Sequence, residues 1–379
     1  MKIVVPVESA AGETRVALVP ESCKKLVGKG IEIGIQRGAG ERAFFPDDAY
    51  RAVGVGVEPD AGTLLGLGDF VLMVQPPTEA QVRQMRPGAM LLTSLLPIRN
   101  LQIVRKLAEQ GVSAFSTDCI PRITRAQSMD TLSSMANIAG YKAVVIAAGE
   151  LSKYFPMFMT AAGTIHSAKV FVIGAGVAGL QAIATARRLG GTVTATDTRQ
   201  AVGEQVQSLG AKFVGVESQE DAQTASGYAK ELSPDFYKKQ AELIAQQCAV
   251  SDVVITTALI GGVKAPKLIA ADMVRKMQPG SVIVDLAAEG GGNCALSRPG
   301  ETVVENGVKI IAPLNLPATM PRDAATLYSR NLTTFVLAFW QDTDKKFNLD
   351  LSDEIIKGAL VTHAGEVVHE PSRKALAGG

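Results

Sequence analysis

The segment VIGAGVAGL sets Gly174, Gly176 and Gly179 at GxGxxG spacing, directly after the apolar run KVFVI and ahead of a helix-forming stretch. In that context each glycine has a purpose: Gly174 for a tight turn, Gly176 for close approach of backbone to a pyrophosphate, and Gly179 for helix–strand packing. The helix opening at Val177 would turn unpaired N–H groups and a positive dipole end toward phosphate. Asp197 closes the next strand, TVTATD, about 20 residues on, where a carboxylate accepts from ribose hydroxyls and repels a 2′-phosphate. The turn Asp197–Thr198–Arg199 therefore reads as selecting NAD over NADP, with Arg199 as the contrary sign, because an arginine there can accommodate that phosphate. Ligands of such sheets sit at the carboxyl ends of strands, which nominates TTAL, carrying Thr257, Ala258 and Leu259, and DLAAEGGGN, carrying Glu289. Both segments read equally well as plain strand-to-turn transitions.

Oxidising an alcohol or amine also requires a proton acceptor, and the sequence supplies few. The three histidines, His166, His363 and His369, are scattered and read as solvated surface residues. They lack metal-ligand spacing, as do the four cysteines Cys23, Cys119, Cys248 and Cys294, which include no CxxC pair; no metal site and no disulfide framework is expected. The densest polar cluster runs from Ile120 to Tyr141. On a helix Asp130, Ser133, Ser134, Asn137 and Tyr141 share one face, with Arg122, Arg125 and Gln127 just before it. A solvated face normally carries long Lys and Glu side chains, whereas short Ser and Asn orient hydroxyls, amides and phosphates. The cluster reads as a docking site without an acid/base pair.

These residues need rigid elements to hold them. At 379 residues the chain is long enough for two domains with a cleft between them, and 47% hydrophobic against 20% charged residues is the balance of a folded α/β protein. A net charge of +1 gives no field to attract nucleic acid, which is not an expected partner. The N-terminus lacks signal-peptide features, and the most apolar stretch, Ala143 to Ile165, is broken by Glu150, Lys153 and Pro156, so neither secretion nor a membrane span is expected.

Two series of strand-like runs alternate with helix-length segments. One begins at Lys2 and the other at Lys169, giving α/β architecture with two Rossmann-like parallel-sheet domains. A long helix is expected over Asp130–Glu150 and another over Ala324–Trp340, joining the domains, followed by a hairpin turning at Gly365 that returns to the first. The expected boundaries are 1–128 with 321–379 for the first domain and 129–320 for the second. The polar, aperiodic stretch 217–236 reads as a mobile loop.

The segments PRITRAQSMDTLSSMANIAGYKAV, MTAAGT, GAGVAGLQA, GYAKE, TTALI and VDLAAEGGGNC resemble the NAD(H)-binding component of proton-translocating NAD(P) transhydrogenases, relatives of alanine dehydrogenase. The resemblance covers nearly the whole chain. It implies that Arg122, Gln127, Asp130 and Ser133 lie beside the nicotinamide, that Asn137 and Glu289 join the nucleotide site, and that Tyr228, rather than Tyr237, is the tyrosine of a loop closing over it. It further implies NADP(H) on a partner domain, membrane-spanning proton-channel subunits, a homodimer, and a peripheral position on the cytoplasmic face of the membrane.

Alanine dehydrogenase is the alternative. The resemblance extends to its substrate arginine, here Arg15, but its lysine position holds Gln75, its histidine position Leu96, and its later aspartate position Glu289. Those departures remove proton chemistry while keeping the nucleotide loop. Hydride passing directly between two nicotinamides would need no such chemistry, only positioning. A non-catalytic NAD-sensing module is the third reading.

Overall fold

The structure is a computed structural model that describes residues 1–216, 233–259 and 265–377. The chain forms two compact units, Met1–Met135 with Pro317–Gly379 and Ala136–Leu316. Each is an α/β layer arrangement around one sheet.

In the first unit the strands lie, edge to edge, as Glu366–Val367, Leu360–His363, Ser113–Ser116, Met90–Thr93, Phe70–Leu72, Lys2–Val5, Glu32–Gln36 and Gly56–Glu58. The six strands from the N-terminal segment are mutually parallel, and their near-continuous apolar runs suit burial on both faces. Leu360–His363 adds antiparallel to Ser113–Ser116 and turns back through Gly365 (φ 84°) into Glu366–Val367, the hairpin expected from VTHAGEVV. The helix Pro321–Ala338 covers this sheet, and its Phe335 meets the rings of Phe115, Phe339 and Phe347 in the core. That helix stops two residues before Trp340, which enters a short antiparallel pair with Lys346–Phe347 instead.

The second unit's sheet runs Lys212–Phe213, Thr192–Thr196, Lys169–Ile173, Val253–Thr256, Val282–Asp285, Val308–Ile311 and Thr302–Glu305. All pairs are parallel except the last, where Thr302–Glu305 doubles back on Val308–Ile311 through Asn306 and Gly307, both at positive φ. Chain order reverses beside Lys169–Ile173, so its carboxyl end and that of Val253–Thr256 flank the switch point where ligands enter such sheets.

The long helix spans Thr131–Glu150. Asp130 precedes it rather than belonging to its face: its carboxylate accepts from the Ser133 N–H at 2.8 Å and from the Ser133 hydroxyl at 2.6 Å, an N-terminal cap. Two histidines also depart from expectation. His363 Nδ1 pairs with the Ser113 hydroxyl at 3.0 Å, and His369 pairs with the Ser372 hydroxyl at 2.8 Å and lies 3.8 Å from the Cys119 sulfur. Both are half-buried structural residues, whereas His166 is exposed.

Candidate dinucleotide site

At the switch point of the second sheet the glycines divide by what surrounds them. Gly174 takes φ 96°, and a Cβ there would lie 2.5 Å from the Thr257 hydroxyl. A Cβ on Gly179 would overlap the Gly174 carbonyl oxygen, so the loop and the helix Val177–Arg188 touch backbone to backbone. Over Gly176 a Cβ would meet nothing within 4 Å. No side chain caps this helix, whose first N–H groups therefore lie beside a lane of open space. That is the fit a pyrophosphate requires.

The long helix supports the loop from behind. A Cβ on Gly140 would overlap the carbonyl oxygen of Ala178, and Asn137 donates to Gln181 Oε1 at 3.2 Å. Gly140 is a residue that sequence reasoning missed; the small-residue run ANIAGYKA was its only trace.

Asp197 ends the strand Thr192–Thr196, next to Thr198. Its carboxylate accepts from the Ala175 N–H at 2.8 Å and from the N–H, Nε and Nη2 of Arg199, each at 2.9 Å. Thus Asp197 ties the strand end to the glycine loop, and Arg199 lies on Asp197 itself.

On the other side, the Thr257 hydroxyl donates to the Gly174 carbonyl at 3.1 Å. Asn293, fully buried, accepts from the Ala258 N–H at 3.0 Å and donates to the Ala258 carbonyl at 2.8 Å and that of Pro266 at 2.9 Å. Buried Asp285 accepts from the Thr256 and Ser297 hydroxyls and the Ala287 and Cys294 N–H groups. These two residues shape Thr257–Leu259 without being noticed in the sequence, where an Asn after three glycines reads as turn filler. Glu289 is exposed and accepts from the Asn315 N–H at 2.9 Å, anchoring a residue held at φ 45°.

The polar segment before the long helix belongs to the first unit. Ala126 and Met129 bury within the turn Thr124–Met129, and Asn331 donates to the Ser128 carbonyl at 2.8 Å. This anchoring leaves Arg122 and Gln127 exposed, with Asp130 and Ser133 paired to each other. Arg125 is engaged elsewhere, on Asp353 at 2.7 Å. Tyr228 lies outside the described residues.

The first sheet has its own switch point, between Lys2–Val5 and Phe70–Leu72, and side chains of the chain fill it. Buried Glu8 accepts from the N–H groups of Val74 at 2.6 Å and Gln75 at 3.1 Å. Burial pushes its carboxyl up to about 7, with those two N–H groups opposing. Next to it, Arg15 grips Glu13 through Nε at 2.8 Å and Nη2 at 2.6 Å, and Gln75 Nε2 donates to the same carboxylate at 2.8 Å. Burial works to raise the Glu13 carboxyl, but Arg15 and then Gln75 outweigh it and hold the group at about 2. Leu96, at φ 45°, offers only its N–H, to Asp118 at 2.9 Å.

Comparison with known proteins agrees with this arrangement. Residues 4–139 match the N-terminal domain and residues 143–370 the C-terminal domain of "Alanine dehydrogenase/PNT". The chain belongs to the alanine dehydrogenase/PNT family. Members of this family are oxidoreductases with an NAD-binding domain, and the chain shares more residues with transhydrogenase subunits than with alanine dehydrogenases. It is 48% identical over 376 residues to an NAD(P) transhydrogenase subunit alpha polypeptide of Rhodospirillum rubrum, covering 97% of this chain and 98% of that one. Against the alanine dehydrogenase of Halomonas elongata the identity is 29% over 384 residues, covering 99% and 97%. The crystal structure of transhydrogenase from Sinorhizobium meliloti superposes with a TM-score of 0.85 at 41% identity, covering 98% of this chain and all (100%) of that one. Among the described residues no helix is long and apolar enough to cross a membrane.

Proposed function

We propose that this chain is the NAD(H)-holding component of a proton-translocating transhydrogenase, working with NADP(H) held on a partner domain. Bound at the switch point of the second sheet, NAD(H) supplies or accepts a hydride at its nicotinamide ring. Gly174, Gly176, Val177 and Gly179 receive the pyrophosphate, and Asp197 with Thr198 and Arg199 faces the adenosine ribose. Thr257, Ala258 and Leu259 form the opposite wall, with Asn137 and Glu289 at its margins and Tyr228 contributed by the segment beyond Val216. Arg122, Gln127, Asp130 and Ser133 position the nicotinamide; none of them is asked to carry a proton.

One observation carries the choice between the two branches of the family: the amide of Gln75 is spent on Glu13, and Leu96 brings no titratable group. Arg15, the residue that would take a substrate carboxylate in a dehydrogenase, already holds the carboxylate of Glu13 at 2.6 Å. An amino-acid dehydrogenase needs those groups available, whereas direct hydride exchange needs only two rings in near-attack arrangement. The assembly implied is a homodimer docked through partner subunits to the cytoplasmic face of a proton-conducting membrane domain.

The test is deuterium transfer from C4-labelled NADH to NADP, with the chain alone and with an NADP-binding transhydrogenase domain added. Transfer only in the mixture is the expected outcome. NADH turnover with pyruvate and ammonia, partner absent, would replace this reading with the dehydrogenase.

A further inference from the structure

A carboxylate offers about four acceptor directions, and those of Asp197 are filled. Oδ1 takes the Arg199 N–H and Nε, both at 2.9 Å; Oδ2 takes the Ala175 N–H at 2.8 Å and Arg199 Nη2 at 2.9 Å. The pair is well covered, with side-chain exposures of 7% for Asp197 and 18% for Arg199, so solvent does little to loosen it.

Two of the four donors are backbone groups fixed by the strand end and the glycine loop. Only the guanidinium can leave. A ribose diol that binds this carboxylate therefore needs the acceptor positions now used by Nε and Nη2. From this we infer that Arg199 is the specificity-determining residue of the site: its guanidinium competes with the ribose hydroxyls for Asp197 and, once displaced, provides the only positive charge of the turn Asp197–Arg199. The inference rests on the dinucleotide reading given above.

The consequence is asymmetric. For NADH, Arg199 is an obstacle, because binding must break a charge-assisted bidentate pair. For NADPH, the same guanidinium offsets the repulsion between Asp197 and a 2′-phosphate, so it moderates the rejection. The wild-type preference is the difference of these opposed effects, and Arg199 narrows it. Removing the arginine uncovers a bare carboxylate, which welcomes a diol and rejects a phosphate dianion.

Equilibrium titration of the full chain with NADH and with NADPH, followed by nucleotide fluorescence, tests this. Arg199→Ala is expected to tighten NADH about threefold to tenfold and to weaken NADPH by a similar factor, in line with the value of a partly buried charge-assisted contact. The preference for NADH then widens. Arg199→Met, which keeps the alkyl stem, is expected to do the same, and it guards against a packing artefact. Asp197→Ala is expected to move the preference the other way. If wild type binds NADH but neither Arg199 variant widens the preference, or NADH weakens in both, the inference about Arg199 is overturned while the nucleotide site stands. If wild type binds neither nucleotide, the dinucleotide reading and this inference fall together.

Discussion

Gly179 and Gly174 meet backbone to backbone, with the space where a Gly179 Cβ would stand already taken by the Gly174 carbonyl oxygen. Between them, Gly176 has open space above it. The same motif thus contains one glycine needed for folding and one needed for a ligand. Gly179→Ala is expected to cost at least about 2 kcal/mol in a denaturant titration, as overpacking against backbone does. Gly176→Ala should leave stability within about 0.5 kcal/mol and yet weaken NADH about tenfold or more, since a methyl group would stand in the phosphate lane. Equal stability losses in the two variants would mean that the open lane over Gly176 is not a binding feature.

Asn293 holds both backbone groups of Ala258 and so fixes the wall opposite the glycines. In Asn293→Ala the Ala258 N–H and two carbonyls lose their partners in a buried place, at about 2 to 3 kcal/mol. Denaturant titration measures the cost, and an NADH titration should show weaker binding in protein that remains folded.

Glu8 makes stability depend on pH in a window set by its shift from 4.5 to about 7. Between those values the unfolded chain has released the proton while the folded chain keeps it, so folding loses stability as pH rises, by about 3 kcal/mol over the window. Below 4.5 no stability has yet been lost, and above about 7 the loss is complete. Glu8→Gln removes the effect whatever its constant offset, so the stability of the variant minus that of wild type should climb across this window and level off. A flat difference would show that Glu8 is ionised in the folded protein at all these pH values.

Phe335 anchors the C-terminal helix in the aromatic core of the first unit, fully buried against Phe115, Phe339 and Phe347. Phe335→Ala should cost about 3 to 5 kcal/mol. Thermal unfolding monitored by nucleotide-independent probes would measure it, and a loss below about 1 kcal/mol, on the same scale, would mean the cluster closes over the gap.

Much of the architecture is legible because it rests on local regularities. Strands such as KVFVI and VVIT are apolar on both faces, GxGxxG stands between strand and helix, and Asp197 falls at a strand end. The long helix is legible from its composition, but Asp130 reads as part of its face because a cap and a first-turn residue look alike until the backbone is seen. The antiparallel edge strand Thr302–Glu305 escapes notice because alternating exposure and burial at a sheet edge leaves only a faint apolar pattern. Pairings between distant residues are invisible for a different reason. Nothing local in the sequence tells that Asn293 will reach Ala258, that Gly140 lets a helix rest on Ala178, or that Glu13 will sit on Arg15 and silence it.

The sheet of the first unit is closed by Leu360–His363, and its aromatic core by the helix Pro321–Ala338, so the entire second unit is written into the chain between the two parts of the first. During synthesis the second unit is therefore complete while the first still waits, with the Ser113–Ser116 edge and Phe115 uncovered, for the last segment to emerge. A ribosome stalled short of residue 321 would release a finished nucleotide-binding fold attached to an unfinished, adhesive sheet. The unit that begins first is the one whose survival depends on the final stretch of the message.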